Sequence, residues 1–258
     1  MTVTLASRGL TIRFGGHVAV NAVSAEFHAG TLTAIVGPNG AGKTTYFNLL
    51  SGQLKASEGQ VLLEGRDITS QGAAARTDLG IGRAFQLTNL FPQLSVLENV
   101  RLAVQSRAKA GFNMLSRWRT RHDLIEQAHH YLNLVGLDAR ADDTTASLPH
   151  GDKRKLEVAM MMALEPKVLM FDEPTAGMSV DEVPVILDMI QRLKTGGDRT
   201  ILLVEHKLDV IRSLADRIIV LHNGQLVADG SPTEVMASDV VQEAYMGTQA
   251  SADGAVHV

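Results

Sequence analysis

Eight residues constrain this chain more than any other stretch: Gly37-Pro38-Asn39-Gly40-Ala41-Gly42-Lys43-Thr44. They follow the apolar run TLTAIV and open the helix-like segment KTTYFNLLS. The pattern G-x-x-x-x-G-K-[ST] between a strand and a helix is a phosphate-binding loop. Its glycines let the backbone curl until successive N–H groups point at one anion. The helix adds the positive end of its dipole. On this reading Gly37, Pro38, Asn39, Gly40, Ala41, Gly42, Lys43, Thr44 and Thr45 cradle the phosphates of a nucleotide. Lys43 reaches the β- and γ-phosphates, the Thr44 hydroxyl ligates Mg²⁺, and Thr45 adds a hydroxyl contact.

The rest of the chain supplies the sheet that such a loop needs. Strand-like runs recur at residues 5–14, 22–27, 31–36, 59–63, 168–171, 200–204, 217–222 and 225–229. Runs 168–171 and 200–204 are almost wholly apolar, as suits strands buried on both faces. Helical patterns at 43–51, 181–194 and 208–215 alternate with the strands, which predicts a mostly parallel sheet with right-handed crossovers. The early segments are short strands joined by tight glycine turns, and they predict an antiparallel β-layer beside that sheet. The pattern then turns helical at 96–110, 122–135 and 153–164. The expectation is an α/β core of residues 1–87 and 166–238, a helical subdomain inserted at 88–165, and a tail at 239–258 that ends in the small, polar SADGAVHV and frays. The insert carries a basic stretch at 108–121 with Lys109, Arg117, Arg119 and Arg121. A solvated face explains it better than a phosphate- or lipid-binding patch.

A second signal lies far down the chain. Val168-Leu169-Met170-Phe171 is apolar and ends in Asp172-Glu173. An acid at a strand edge can reach the Mg²⁺ sphere of a bound nucleotide, and the next acid can polarise the attacking water. Asp172 is thus the metal candidate and Glu173 the catalytic one.

Composition removes other classes. The formal charge of -4 argues against a polyanion such as nucleic acid as the main partner. With no cysteine, disulfides and thiolate metal sites are excluded. The first residues alternate like a strand and do not read as a signal peptide. No run of about 18 apolar residues occurs, so another chain must supply any passage through a membrane.

The order of GPNGAGKTT, Gln86 in GRAFQ, LPHGDKRKLE, MFDEPTAG and VEH resembles the ABC ATPase family over nearly the whole chain. The resemblance implies that Gln86 sits between core and helical subdomain, touching Mg²⁺ or the lytic water and linking hydrolysis to a membrane partner. It implies that His206 bonds the γ-phosphate and orients the water with Glu173. It places Phe14, in IRFGG, against the adenine, where any π-face serves, with Val18 beside it. The match frays at the signature segment, usually L-S-G-G-Q and here Leu148-Pro149-His150-Gly151-Asp152. Gly151 keeps the close approach to a partner's nucleotide. The serine hydroxyl is lost, Pro149 has no N–H to give, and Asp152 is expected to cap the following helix. Ser179 stands where the family usually has aspartate.

RFGG, GIGRAFQ, the AG of PTAG and the terminal AYMG are similar to ATPase subunits of importers for branched-chain amino acids, or for urea and related amides. The resemblance implies MgATP as cofactor, a second ATPase subunit as dimer partner, and integral membrane permeases. It also implies a periplasmic solute-binding protein as an indirect partner, and a place on the cytoplasmic face of the membrane. A regulatory subunit with weak hydrolysis, or a non-transport ATPase of the same family, are the alternatives.

Overall fold

Full burial explains the central strands. In β3 (Leu32–Val36), β7 (Val168–Asp172) and β8 (Thr200–Val204) every residue is buried, so both faces of the sheet must be covered, as parallel strands require. The computed structural model describes residues 2–84, 90–108, 122–178, 180, 183–195 and 197–238. There the main sheet runs β10-β9-β3-β8-β7-β6, with β6 (Ile81–Ala84), β9 (Arg217–His222) and β10 (Gln225–Gly230) completing it. All neighbours pair in parallel except β9 with β10. The second sheet, β2-β1-β4-β5, is the antiparallel layer, built from β1 (Val3–Phe14), β2 (His17–His28), β4 (Glu58–Leu63) and β5 (Arg66–Asp67).

Between the sheets lies α1 (Lys43–Ser51), whose Tyr46, Phe47, Leu49 and Leu50 belong to one buried cluster with residues of both. Its C-terminal end is held from outside. Arg76, on α2 (Ala73–Asp78), is buried and donates from Nη1 to the carbonyls of Leu49 at 2.6 Å and Leu50 at 2.7 Å. A cation at a helix C-terminus opposes the negative end of the dipole. Burial pushes Arg76 down and Asp67 offsets part of this, leaving the guanidinium at about 10. The opposite face of the main sheet is covered by α6 (Val183–Thr195) and by the helices α3 (Val96–Arg107), α4 (His122–Leu134) and α5 (His150–Ala163), which pack on one another. Two shorter helices follow, α7 (Leu208–Leu214) and α8 (Pro232–Met236).

The alternation of strands and helices is found where the sequence predicts it, and β9 has the predicted bounds. Four of the named elements lie outside the sequence expectation: β5, α2, β6 and α8. β6 reads IGRA, and its glycine and arginine break the apolar pattern of a buried strand. It is an edge strand, and its arginine finds a buried acid, as described below. One boundary moves in a way that matters: α5 begins at His150 and not at residue 153, so the signature segment itself opens the helix. The expected start of α6 at residues 181–182, the tail 239–258, most of the basic stretch 108–121, and Ser179 lie outside the described residues.

The carboxyl ends of β3, β8 and β7 stand side by side, with Ile35 opposite Val204 and Val204 opposite Asp172. In an open parallel sheet this edge is where ligands bind.

Candidate phosphate site

The loop after β3 is shaped by two glycines that no other residue replaces. Gly37 has φ 149°, and a Cβ there would lie 2.1 Å from the carbonyl oxygen of Leu221. Gly42 has φ 94°, and a Cβ there would lie 2.5 Å from the carbonyl oxygen of Ala19. Between them the chain through Pro38, Asn39, Gly40 and Ala41 curls around the side chain of Lys43. Lys43 Nζ donates to the carbonyls of Gly37 at 2.8 Å and Pro38 at 2.9 Å. Lys43 is 6% exposed. Burial pushes its ammonium below the ordinary lysine value, and the carboxylates of Glu173 and Asp172 pull it back up. The loop lysine and the strand-end acids therefore share one site. Thr44 and Thr45 lie in the first turn of α1, Thr44 exposed and Thr45 half-buried.

Asp172 ends β7 and is buried. Its Oδ2 accepts from Arg83 Nη2 at 2.6 Å, and both side chains are under a tenth exposed. Arg83 Nη1 also donates to Asn48 Oδ1 at 2.6 Å and Ser51 Oγ at 2.9 Å on α1. Burial pushes Asp172 above the ordinary carboxylate value; Arg83 pulls it down, and Glu173 pushes it up again. Register explains the contact. Arg83 pairs with Met170 across β6 and β7, so Asp172, two residues on, is its diagonal neighbour on the same face.

Glu173 leaves the strand with φ 49°, a conformation that non-glycine residues seldom adopt and that concentrates at functional sites. Its N–H donates to the carbonyl of Val204 at 2.9 Å. Its Oε1 lies 2.8 Å from Nε2 of His206, which follows β8, and both side chains are about two-fifths exposed. The two residues predicted to handle water thus meet, open to solvent, beside the phosphate loop.

The two residues predicted to face the base lie on the β1–β2 hairpin. Phe14 ends β1 and is half exposed, so it is not a core phenylalanine. It pairs with His17, and Arg13 pairs with the half-buried Val18. Ala19, one residue on, is the wall that Gly42 meets.

Gln86 lies outside the described residues. Gly151 belongs to another part of the fold, the first turn of α5, which packs on α3, α4 and β6. There the expectation for Asp152 is corrected. The cap position is Pro149, and Asp152 sits inside the first turn, where an acid favours the helix dipole. Its carboxylate pairs with Arg140 Nη1 at 2.7 Å and Lys155 Nζ at 2.8 Å. Burial raises Asp152, but hydrogen bonds from Lys155 and Arg140 outweigh it and hold the carboxyl below the ordinary value.

Sequence reasoning did not find Arg83, Thr175 or Glu205. Arg83 is a charge inside a strand run, and Glu205 is an acid directly after an apolar strand. Both patterns are a signal, because a buried charge needs a built partner.

Residues 20–176 match the profile of a family described as ABC transporter. The chain is 36% identical to LivG of Salmonella typhimurium, a high-affinity branched-chain amino acid transport ATP-binding protein, over 94% of this chain and 97% of that one. It is 34% identical to BraF of Pseudomonas aeruginosa, which carries the same description, over 93% and 96%. Among solved structures, a nucleotide-free ATP-binding cassette from an ABC transporter superposes with a TM-score of 0.80 at 30% identity, over 94% of this chain and 98% of that one. An ADP-bound cassette gives 0.82 at 28% identity, over 96% and 100%.

Proposed function

The chain belongs to the ABC transporter family, and from that premise we propose that it is the subunit that binds and hydrolyses MgATP to drive an importer. The observation that carries this reading is the convergence of Lys43 with Asp172 and Glu173, and of Glu173 with His206 at 2.8 Å. The loop N–H groups and Lys43 neutralise charge on the transferring phosphoryl group. Glu173 accepts the proton of the attacking water, and His206 holds the water and the γ-phosphate in line. Gln86, two residues past β6 in the sequence, is assigned to Mg²⁺ or the attacking water on the same reading. Phe14 stacks on the adenine with Val18 at its edge.

Mg²⁺ fits the donors. Asp172 and the Thr44 hydroxyl are hard oxygen ligands, and among the described residues no cluster of three or more His, Cys, Asp or Glu could hold a metal alone. An ion that keeps its waters and is bound by one carboxylate plus nucleotide phosphates suits that set. Held by Asp172 and Thr44, it would offset the charge of the nucleotide phosphates.

The partners follow from the same premise. A second ATPase subunit closes over the nucleotide, with Gly151 allowing close approach, and ATP's preference for that closed dimer does the mechanical work. Among the described residues no helix is long and apolar enough to cross a membrane, so permease chains supply the passage. An apolar groove of about 560 Å³ between α1, β6 and the helical layer, lined by Ile81, Leu90, Phe91, Leu102 and Met161, suits a segment of such a permease. On the proposed division into core 1–87 and 166–238 and helical subdomain 88–165, the groove would lie at their seam. The cargo proposed is a branched-chain amino acid, because LivG and BraF are so described. It would be delivered by a solute-binding protein outside the membrane, with this chain on the cytoplasmic face.

Glu173→Gln tests the reading. In the assembled transporter it should retain ATP and lower turnover by about 100-fold or more. Unchanged turnover contradicts the assignment.

A further inference from the structure

One buried acid is left over by the mechanism. Glu205 directly follows β8 and is 3% exposed. Both of its oxygens are engaged, and by donors only. Oε1 accepts from the Thr175 N–H at 3.2 Å and from the Thr175 hydroxyl. Oε2 accepts from the N–H groups of His206 at 2.8 Å and Lys207 at 3.3 Å. A carboxylate is acceptor-only and suits this set. An amide would turn its NH₂ toward backbone donors. An apolar side chain would leave the backbone N–H groups of Thr175, His206 and Lys207 without this partner.

The donors sit on two separate loops. Thr175 lies two residues past Glu173, on the loop after β7. His206 and Lys207 lie on the loop after β8. These loops carry the two side chains that meet at 2.8 Å, and that contact is open to solvent. An exposed pair of this kind does not hold its own geometry. The buried carboxylate behind it does, because its bonds form out of water.

We propose that Glu205 is a positioning residue that clamps the loop after β7 to the loop after β8 and so sets His206 Nε2 against Glu173 Oε1. It touches neither nucleotide nor water. The inference rests on the reading of Glu173 and His206 as the pair that places the water.

The test compares Glu205→Ala, Glu205→Gln, Thr175→Val, His206→Ala and the double variant Glu205→Ala/His206→Ala in the assembled transporter. Turnover, KM for ATP and ATP affinity are read for each, and the imidazole ¹⁵N signals of His206 are read in the full purified chain. Glu205→Ala should lower kcat by about tenfold or more while KM for ATP moves less than about twofold. Glu205→Gln, which keeps an acceptor for His206 and Lys207, should lose less. Thr175→Val, which keeps the packing, should lose least. In the His206→Ala background Glu205→Ala should change turnover by less than about twofold, since residues that act through one another are not additive. The His206 ring signals should shift in Glu205→Ala. Wild-type turnover in Glu205→Ala, or a full multiplied loss in the double variant, overturns the clamp. Should Glu205→Ala not fold, unchanged turnover and unchanged His206 signals in both Glu205→Gln and Thr175→Val overturn it. Wild-type turnover in His206→Ala instead sinks the underlying reading of the pair.

Discussion

Two glycine-bearing turns lead into helices in this molecule, and they are held in opposite ways. The phosphate loop at residues 37–44 is fixed from within. Gly37 and Gly42 are walled in by the carbonyls of Leu221 and Ala19, and the lysine is buried on the loop's own carbonyls. Behind it the buried Arg83–Asp172 pair ties β6 and β7 to α1. The turn at 148–152 is fixed from outside, by the helix it opens and by partly exposed pairs from Asp152 to Arg140 and Lys155. The first arrangement leaves no room for another residue at Gly37 or Gly42. The second tolerates the departure from L-S-G-G-Q, because its backbone rests on helix geometry and surface charge and not on the lost serine.

The largest effect should come from the loop. Gly42→Ala forces a methyl into the Ala19 carbonyl and strains a positive φ, and ATP affinity should fall by about 100-fold or more, an energy within the usual range for clash plus strain. Calorimetric titration checks it. Near-wild-type affinity would mean that the wall at Ala19 yields, and the contrast with the outer turn would weaken.

Next comes the buried pair. Arg83→Met leaves Asp172 as a buried acid without this cation, and breaking such a pair costs about 3–5 kcal/mol. Denaturant unfolding measures the loss. A cost below about 1 kcal/mol would place the Arg83–Asp172 pair with the surface pairs.

The smallest effect belongs to the outer turn. Asp152→Asn should cost less than about 1 kcal/mol at neutral pH. The sign with pH is fixed by the depressed Asp152 value. The ionised carboxylate stabilises the fold at pH values above the ordinary carboxylate value, and that contribution is lost as pH falls through the folded value, which lies below 3.8. Wild type and Asp152→Asn should therefore differ at neutral pH and converge in acid. Thermal unfolding across pH reads this, and a gap that persists in acid would point to packing and not charge.

The same contrast explains what was legible in the sequence. The phosphate loop and the strand-end acids are each announced by a local pattern, glycines at fixed spacing or an apolar run ending in acids, whereas His206 is singled out only by the resemblance to the family. Residues 43–51 were predicted as a helix and form one with those bounds. The apolar strands β7 and β8 read clearly because both faces are buried. β6 did not, because Arg83 balances its charge through a diagonal contact with a residue far along the chain, and no local pattern encodes that register. The start of α5 was missed because Pro149, His150 and Gly151 look like a loop, although proline fits where a helix begins. Glu205 was passed over because its partners lie partly on another loop.

Equilibrium binding of labelled ATP to the wild-type and Lys43→Ala proteins tests the central claim most directly. A Lys43 ammonium that reaches the β- and γ-phosphates predicts saturable binding to the wild type, weakened by about tenfold or more in Lys43→Ala. Equal affinity in the two proteins, or no binding to the wild type, would contradict it.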